Sequence, residues 1–377
     1  MLEAILFVLY AVLLGMFCVG VWRLRYAVTH FKMKALLTNV RSKDALPSVT
    51  VCIPARNETH AMTDSLQRVI DSTYPKLEII VLDDLSGDNT SSLIKAFAQD
   101  GIRFVEGSKL PEGWLGKNHA LQGLLKQASG TYVLFMDVDT RLNPDSIEQL
   151  VAYTLQEQAL MVSVLPRRED APRSSVFLSP LRYFWEVMFH RTAAPATASG
   201  AWMIHRQTLL DTWQGFTQFK DAVQPESRFS AELMTTGKYR FLIGTKLLGI
   251  SYEKKWRSQI GTSVRLLYPL LGAKLMHVAV AALDLLIASV PLFVIGAGFV
   301  FGWGVHQVIA GILYLMFAGL YAVYLRKVWN TGSILGGLLW GYLTLQESAL
   351  VVLSAINYAR NTVTWKGRLV EVKASKL

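Results

Sequence analysis

The chain has 377 residues, of which 52% are hydrophobic and 18% charged, and its formal net charge is +10. This hydrophobic fraction is high for a soluble domain and low for a chain that lies wholly in the membrane. We therefore predict a protein with a globular domain and membrane segments. The basic residues cluster beside apolar segments, which favours contact with anionic lipid head groups over nucleic-acid binding. The two clusters are Arg23, Arg25, Lys32 and Lys34, and then Lys254, Lys255, Arg257, Arg265 and Lys274.

The first predicted element is a membrane anchor. An uncharged apolar stretch runs from Ala4 to Trp22, close to the ~20 residues that cross a hydrocarbon core of ~30 Å. Glu3 precedes it and basic residues follow, the reverse of the charge pattern of a cleaved signal peptide. We therefore predict an anchor over residues 1–25, with the chain continuing on the cytosolic side by the positive-inside rule.

Residues 48–265 are long enough for one globular domain, and strand and helix patterns alternate through the first half of this stretch. Apolar runs that predict strands cover residues 48–55, 77–84, 102–107 and 131–139, and helical patterns cover residues 60–72, 89–100 and 118–128. This alternation predicts an α/β domain with a mostly parallel sheet and helices on both faces. In such sheets ligands bind at the carboxyl ends of the strands.

Acidic and polar residues follow three of these strands. The first strand runs into Pro54 to Glu58, the second into Asp83 to Thr90, and the fourth into Asp137 and Asp139. Alternate side chains of an extended strand share a face, so we expect Asp137 and Asp139 to point the same way. Two such acids repel each other unless they share a cation. Taken alone, Asp83 and Asp84 could instead form a solvated turn.

Oxygen ligands that share a cation with a diphosphate are typical of Mg²⁺ or Mn²⁺ sites. The chain has no Walker loop, and no GxGxxG follows its first strand, so nothing favours an NTPase or a dinucleotide enzyme. The remaining candidate ligand is a nucleotide-diphosphate sugar.

The chain resembles a known family in the order of four motifs, "VTVCIPARNE", "IIVLDDLSGDNT", "GWLGKNHAL" and "ASGTYVLFMDVDTRLNPDSI". They are similar to those of the inverting family-2 glycosyltransferases, hexosyltransferase-type enzymes with the Rossmann-like GT-A fold. "GWLGK" and "NTVTWKGR" resemble the membrane-anchored branch that glycosylates lipids, the carotenoid and hopanoid glycosyltransferases, with ceramide glucosyltransferase more distant. The resemblance covers residues 48–201 well and is patchy beyond them.

The resemblance implies roles for individual residues. It matches Asp137 and Asp139 to the DxD motif of the family, whose last Asp holds Mg²⁺ or Mn²⁺ on the donor diphosphate. It places Lys117 near the phosphates, although that residue could also be a solvated lysine at the start of a helix. The residues that it places around the nucleoside are Pro54, Arg56, Glu58, Asp83 and Asp84.

The resemblance also implies a general base. The family has an "ED" motif whose Asp deprotonates the acceptor, and the corresponding "PE" here aligns Glu226 with that Asp. Either carboxylate can accept a hydroxyl proton. A realignment by one residue would place Ser227 there instead, and Asp221 is the fallback.

A larger departure concerns QxxRW, which the processive synthases and the ceramide enzyme carry before their membrane segments. The chain reads "YEKKWRSQIGTSVR" there, so similar residue types stand in another order, which argues against a long polymer channel. These residues are Trp256, Arg257, Gln259 and Arg265.

Apolar runs near the C-terminus, over residues 278–301, 305–325 and 334–356, predict two or three membrane helices between residues 275 and 358. Glu347 interrupts the last run, which could be a crossing, a re-entrant segment or an interfacial one. A basic tail over residues 359–377 follows.

Together these features predict a multi-pass protein of the cell membrane with a cytosolic catalytic domain. Its predicted reaction moves one sugar, with inversion, from a nucleotide-diphosphate donor to a hydroxyl of a membrane lipid, and a UDP-sugar is favoured. Two alternatives stay open, a processive polysaccharide synthase and a non-catalytic membrane scaffold that keeps the fold.

Overall fold

The computed structural model describes residues 2–33, 45–169, 181–253, 256–329 and 332–370. Three members of the basic clusters lie outside these ranges, namely Lys34, Lys254 and Lys255. The same holds for the end of the predicted basic tail, residues 371–377.

The strands of the described residues follow the predicted apolar runs in the first half of the chain. They are β1 Val49–Ala55, β2 Leu77–Asp83, β3 Ile102–Glu106, β4 Tyr132–Met136, β5 Thr140–Leu142, β6 Met161–Leu165, β7 Arg167–Arg168, β8 Ala201–His205, β9 Tyr239–Ile243, β10 Ile250–Tyr252, β11 Thr364–Trp365 and β12 Arg368–Leu369.

The helices alternate with these strands and then form a C-terminal bundle. They are α1 Leu2–His30, α2 Met62–Ile70, α3 Thr90–Ala96, α4 Gly116–Gln127, α5 Ser146–Gln156, α6 Arg182–Met188, α7 Arg206–Trp213, α8 Pro225–Thr235, α9 Trp256–Leu270, α10 Leu275–Phe301, α11 Gly304–Val328, α12 Ser333–Leu338 and α13 Trp340–Ala359.

The main sheet has the strand order β3-β2-β1-β4-β8-β6-β9. The pairs among β1 to β4 and the pair of β6 with β9 are parallel, whereas β8 runs antiparallel to both of its neighbours. The interior strand β1 is buried on both faces, which explains its continuous apolar sequence. The predicted α/β fold with a mostly parallel sheet and flanking helices is confirmed.

The two faces of the sheet belong to two apolar cores. Val51 and Ile53 of β1 pack into the core beneath α2 and α5, whereas Cys52 between them packs into the other core. That second core also contains residues of α1 and α11, such as Leu13 and Phe317. One face of the sheet is therefore continuous with the apolar helices of the chain.

Three helices of the described part are long and apolar enough to cross a membrane, by length and composition alone: α1, α10 and α11. The first continues to His30, beyond the predicted end of the anchor at residue 25. The third C-terminal apolar run is divided at Leu339 into α12 and α13. Helix α13 packs against α9 and α10 and buries Glu347, whose exposed fraction is 1%.

Part of the predicted basic tail forms a β-hairpin. Strands β11 and β12 pair antiparallel around Lys366 and Gly367, which have φ of 49° and 80°. Positive φ at both central residues is the backbone of a tight two-residue hairpin turn. Val363 and Val370 beside the hairpin pack with Tyr358 and Leu115, so the hairpin is seated on the α/β domain at the start of α4.

Candidate active site

The two acids of the DxD motif lie in a turn between β4 and β5. Strand β4 ends at Met136, so the expectation that both acids continue an extended strand is wrong. The backbone N–H of Asp137 donates to Gly200 O at 3.0 Å, and that of Thr140 donates to Asp137 O at 3.0 Å. This turn places Asp137 and Asp139 in the walls of the same two cavities, so their predicted proximity is found.

Lys117 is paired with the first of these acids. Its Nζ lies 2.6 Å from Asp137 Oδ1, and the side chain stands in the first turn of α4. The next residue, Asn118, is 1% exposed and its amide donates to the carbonyls of Phe219, Lys220 and Ala222. The start of α4 therefore positions a cation at the acids and also fixes the loop that precedes α8.

Asp84 is the most buried of the acids predicted to surround the nucleoside, with an exposed fraction of 2%. Its Oδ2 accepts a hydrogen bond from Arg368 Nη1 at 2.5 Å. Its Oδ1 is buried, and among the described residues it has no hydrogen-bond partner. Burial raises the pKa of this carboxyl, and the neighbouring Arg368 guanidinium offsets part of that rise.

Asp83 and Arg56 hold the turns around this position. Asp83 Oδ1 accepts from the backbone N–H of Ser86 at 3.3 Å and from the Ser86 hydroxyl. Arg56 donates from Nη1 to the carbonyls of Asp84 and Leu85, and from Nε to Lys366 O at 3.1 Å. Both side chains therefore hydrogen-bond neighbouring backbone or hydroxyl groups, and they stabilise the turns around the site.

Glu58 and Pro54 lie on the wall shared with the DxD acids. Glu58 Oε1 is 2.9 Å from Lys366 Nζ. Burial raises the pKa of Glu58, Lys366 opposes this rise, and the charges of Asp139 and Asp137 add to it. The structure thus brings Glu58 into the electrostatic neighbourhood of the predicted metal ligands.

The C-terminal hairpin supplies site residues that the sequence analysis did not identify. Thr364, Trp365 and Lys366 line the cavity that contains Asp137, Asp139 and Lys117. The Arg265 guanidinium carbon lies 5.8 Å from the centre of the Trp365 ring. The sequence "WKGR" has two basic residues, one on either side of Gly367, and these could have suggested a site at this segment. The local sequence does not indicate, however, which acidic residues they pair with.

A second, deeper cavity extends from the same acids toward the apolar helices. Arg168, 5% exposed, lies in its wall with its guanidinium carbon 4.3 Å from the centre of the Trp329 ring. Gln259 and Arg265, from the rearranged QxxRW region, also line it. Its remaining aromatic and apolar walls include Tyr183, Tyr252, Tyr321, Tyr324, Leu325 and Val328.

Glu226 lies in the first turn of α8 and is 3% exposed. It is not among the residues that line either cavity. Burial raises the pKa of Tyr239 well above its usual value, and the charges of Glu186 and Glu226 add to this effect. Of the two alternatives, Asp221 is exposed and the Ser227 hydroxyl donates to Gln224 O at 2.7 Å.

The residues at the turn fit a divalent cation that is shared with a substrate. Mg²⁺ is commonly held by one or two protein carboxylates together with substrate phosphates, and Asp137 and Asp139 can supply the carboxylates. Within the described ranges no group of three or more His, Cys, Asp or Glu side chains forms a cage for a metal. The donor set therefore suits a cation that arrives with a diphosphate.

Comparison with known proteins shows what part of the chain is similar to. The model of the family described as Glycosyl transferase family 2 matches residues 50–209. Poly-beta-1,6-N-acetyl-D-glucosamine synthase of Staphylococcus aureus (strain COL) is 38% identical over 104 residues, 27% of this chain and 24% of the relative. The corresponding synthase of Staphylococcus epidermidis is 34% identical over 99 residues, 26% of this chain and 23% of the relative. The chain thus spans about a quarter of the length of these curated relatives.

A solved structure resembles nearly the whole chain. The mannosyltransferase PcManGT from Pyrobaculum calidifontis, in complex with GDP-Man and Mn²⁺, aligns with a TM-score of 0.57 and 20% identity. The alignment covers 95% of this chain and 98% of that one, and at this identity it shows a shared fold. The narrower resemblance to carotenoid and hopanoid glycosyltransferases stays a prediction. The prediction of a transferase enzyme is confirmed by the match of the Glycosyl transferase family 2 model to residues 50–209, which are less than half of the chain.

Proposed function

We propose that the chain transfers a single sugar from a nucleotide-diphosphate sugar to a hydroxyl of a membrane lipid, with inversion at the anomeric carbon. One observation carries this proposal. The cavity that contains Asp137, Asp139 and Lys117 is also lined by Tyr321 and Tyr324 of α11, a helix that is long and apolar enough to cross a membrane. A donor at the acids and an acceptor in the bilayer would therefore meet in one cavity.

The charges around the acids support a diphosphate donor. Lys117, Arg265 and Lys366 line the same cavity as Asp137 and Asp139, and cations in this number suit the oxygens of a diphosphate. Asp84 Oδ1 is buried without a hydrogen-bond partner among the described residues, and in this proposal it accepts a hydrogen bond from a nucleobase or ribose that reaches it. PcManGT was solved with a nucleotide sugar, GDP-Man, which supports this class of donor. We favour a UDP-sugar, as the family resemblance implies.

In the proposed mechanism Asp139, with Asp137 in support, holds Mg²⁺ or Mn²⁺. When bound, this cation supplies positive charge that stabilises the diphosphate leaving group. Lys117 keeps the Asp137 carboxylate oriented and adds a second positive charge at the same place. The lipid oxygen attacks the anomeric carbon as the bond to the diphosphate breaks, so a single displacement inverts the configuration.

Glu226 is the proposed base that takes the proton of the acceptor hydroxyl. Since Glu226 is 3% exposed and is not among the residues that line either cavity, this role requires the acceptor hydroxyl and the carboxylate to be brought into contact when the acceptor binds.

The proposed setting is the cell membrane, crossed more than once, with the catalytic domain in the cytosol. Arg23 and Arg25 follow the apolar stretch of α1, and Arg326 and Lys327 stand in the last turn of α11. By the positive-inside rule both helix ends then lie on the cytosolic side, where the domain between them also lies.

A processive polysaccharide synthase is the second candidate. Similarity over 104 residues to a poly-beta-1,6-N-acetyl-D-glucosamine synthase favours it. The rearranged QxxRW residues oppose it, although Gln259 and Arg265 do lie at the cavity. A non-catalytic scaffold is the third candidate. It is disfavoured because Asp137, Asp139, Lys117 and the hairpin residue Lys366 line one cavity.

The size of the product separates these candidates. The purified chain in membrane vesicles is incubated with radiolabelled UDP-glucose, UDP-N-acetylglucosamine or GDP-mannose and with Mn²⁺, and the label is followed into lipid extract and into polymer. The proposal predicts label in the lipid extract as one discrete species. Label in material of high molecular mass would favour the synthase, and no transfer from any donor would favour the scaffold.

A further inference from the structure

The two cavities at the DxD acids differ in one buried cation. Among the described residues, the basic side chains that line the deeper cavity are Lys117, Arg168 and Arg265, and those that line the cavity at the hairpin are Lys117, Arg265 and Lys366. Lys117 and Arg265 are therefore common to both cavities. Arg168 lines only the deeper one, and it is 5% exposed.

The charges on the walls of the deeper cavity favour a ligand with negative charge. Its acids among the described residues are Asp137 and Asp139, and in the proposed function a divalent cation offsets their charge. Lys117 and Arg265 are accounted for by the donor diphosphate, because they also line the cavity at the hairpin. Arg168 adds a further positive charge. A guanidinium stays ionised at physiological pH, and its planar set of donors matches the oxygens of a phosphate or carboxylate.

Contacts on two sides hold Arg168 in place. In the pairing of β7 with β10 it lies opposite Tyr252, and its backbone also forms a β-bridge with Trp329. The guanidinium carbon lies 4.3 Å from the centre of the Trp329 ring, which is buried. A side chain that is already fixed loses little conformational freedom when it binds a ligand. Arg168 is therefore preorganised to bind an anion.

Arg168 also lies beside the basic end of a predicted membrane helix. Trp329 directly follows α11, and the exposed residues Arg326 and Lys327 stand in the last turn of that helix. Basic residues at the end of a spanning helix mark its cytosolic end, where the lipid head groups lie. This position puts Arg168 at the depth of head groups and not of acyl chains.

We infer that the acceptor is an acidic lipid, and that the Arg168 guanidinium binds the negatively charged group of its head. This inference rests on the proposed function and adds to it the charge class of the acceptor and the residue that recognises it. The head group then carries two features, the hydroxyl that receives the sugar and an anionic group that Arg168 binds. Arg168 takes no part in donor binding.

The first test identifies the charge of the acceptor. Total lipid extracted from the native membrane is separated on an anion-exchange column into an unretained neutral fraction and a retained acidic fraction. The full chain is reconstituted in vesicles of dioleoylphosphatidylcholine that contain one fraction or the other, with radiolabelled nucleotide sugar and Mn²⁺. We expect transfer to lipid with the acidic fraction, and about tenfold less or none with the neutral fraction at equal mass.

The second test assigns the recognition to Arg168. Arg168→Met removes the charge, Arg168→Lys keeps it, and Arg326→Met is the matched control, because it removes a charge from the exposed surface nearby. We expect Arg168→Met to raise the acidic-lipid fraction needed for half-maximal transfer about 10- to 100-fold, as for the loss of a charged hydrogen bond. Arg168→Lys should recover part of this loss, and Arg326→Met should match the wild type. Nucleotide affinity and the thermal midpoint, measured in parallel, should stay at the wild-type values.

The outcomes separate this inference from the function on which it rests. Transfer to lipid of the neutral fraction would overturn the acidic acceptor and leave the proposed function standing. Equal losses in Arg168→Met and Arg326→Met, or none in Arg168→Met, would overturn recognition by Arg168, since general attraction to the charged surface would then explain the preference. If neither fraction accepts sugar, or a polymer forms, the proposed function fails and this inference fails with it.

Discussion

Arg368 Nη1 lies 2.5 Å from Asp84 Oδ2, and this contact joins positions 284 residues apart in the sequence. The pair is enclosed, since the Asp84 side chain is 2% exposed and that of Arg368 is 16% exposed. Together with the ion pair of Lys366 and Glu58, this ion pair attaches the C-terminal hairpin to the carboxyl ends of the strands, where the nucleoside is predicted to bind.

Arg368→Met should weaken nucleotide binding. Removing the guanidinium deprives the buried Asp84 carboxyl of its ion-pair partner, which raises its pKa further and releases the hairpin that carries Trp365 and Lys366. We expect affinity for UDP or GDP to fall about tenfold, equivalent to ~1.4 kcal/mol. Titration calorimetry on the full chain measures this. Arg368→Lys should recover part of the loss, and Arg360→Met, at an exposed site after α13, should have no effect.

Unchanged nucleotide affinity in Arg368→Met would mean that the hairpin does not contribute to the donor site. Loss of folding is a separate outcome, because breaking a buried ion pair costs about 3–5 kcal/mol of stability. The thermal midpoint of each variant is therefore measured beside its affinity.

Asp139→Asn should abolish the Mn²⁺-dependent part of nucleotide binding. The carboxylate lies in a turn at a cavity wall and does not pack the core, so the fold should persist. Binding of the nucleotide diphosphate is titrated with Mn²⁺ and with a chelator. Asp100→Asn, an exposed acid before β3, serves as the control and should behave as the wild type. Equal Mn²⁺ dependence in wild type and Asp139→Asn would remove Asp139 from the metal site.

Glu226→Gln should slow transfer while donor binding persists. General-base catalysis contributes about 10²- to 10⁴-fold, and the base contacts the acceptor, not the diphosphate. Single-turnover transfer of radiolabel to extracted lipid gives the rate. Asp221→Asn is the matched control, since Asp221 is exposed and should have much less effect. If Asp221→Asn is slow and Glu226→Gln is not, the alignment is wrong; if both are normal, the base is a different group.

Glu78 should stabilise the fold in a pH-dependent way. Burial raises its pKa, but hydrogen bonds from Thr50 and Ser129 and the charge of Arg103 outweigh burial and hold the pKa below 4.5. A lowered folded-state pKa means that the stabilisation is fully present above pH 4.5 and is lost as the pH falls through the folded-state value. Glu78→Gln should therefore lower stability at pH 7 by about 1 kcal/mol.

The thermal midpoints of wild type and Glu78→Gln, measured in detergent from pH 7 to pH 3, test this. The gap between them should close below pH 4.5. Glu106→Gln, at the exposed end of β3, should show no such pattern. A gap that stays constant across this range would assign the effect of Glu78 to packing and not to its charge.

Local patterns in the first half of the sequence were sufficient to predict β1 to β4, the four strands of the mostly parallel part of the sheet. Buried parallel strands such as β1 and β4 are continuous apolar runs, and the helices between them have a clear period, so strand ends and their acids could be located. The end of β4 was misplaced by the apolar Val138, which lies in the turn between Asp137 and Asp139 and is buried. Val138 is apolar because it is buried in the turn, and an apolar residue between the two acids continues the strand pattern in the sequence although the backbone there is not a strand.

Contacts between distant segments could not be predicted. The antiparallel β8 sits between β4 and β6 because tertiary pairing places it there, and its sequence carries no mark of direction. The pairing of Arg368 with Asp84 likewise depends on the path of α10 to α13, which returns the chain end to the first βα turns. Glu226 was placed by alignment alone, and alignment gives no information on whether a buried carboxylate reaches a cavity.

The central claim is that one sugar is joined to a membrane lipid by a single inverting displacement. The most direct measurement isolates the labelled lipid made from an α-configured donor and determines, by mass spectrometry and NMR, the number of sugars per lipid and the configuration of the linkage. The account predicts one sugar in β linkage, formed only when Mg²⁺ or Mn²⁺ is present. An α linkage, or a chain of repeated sugars, would contradict it.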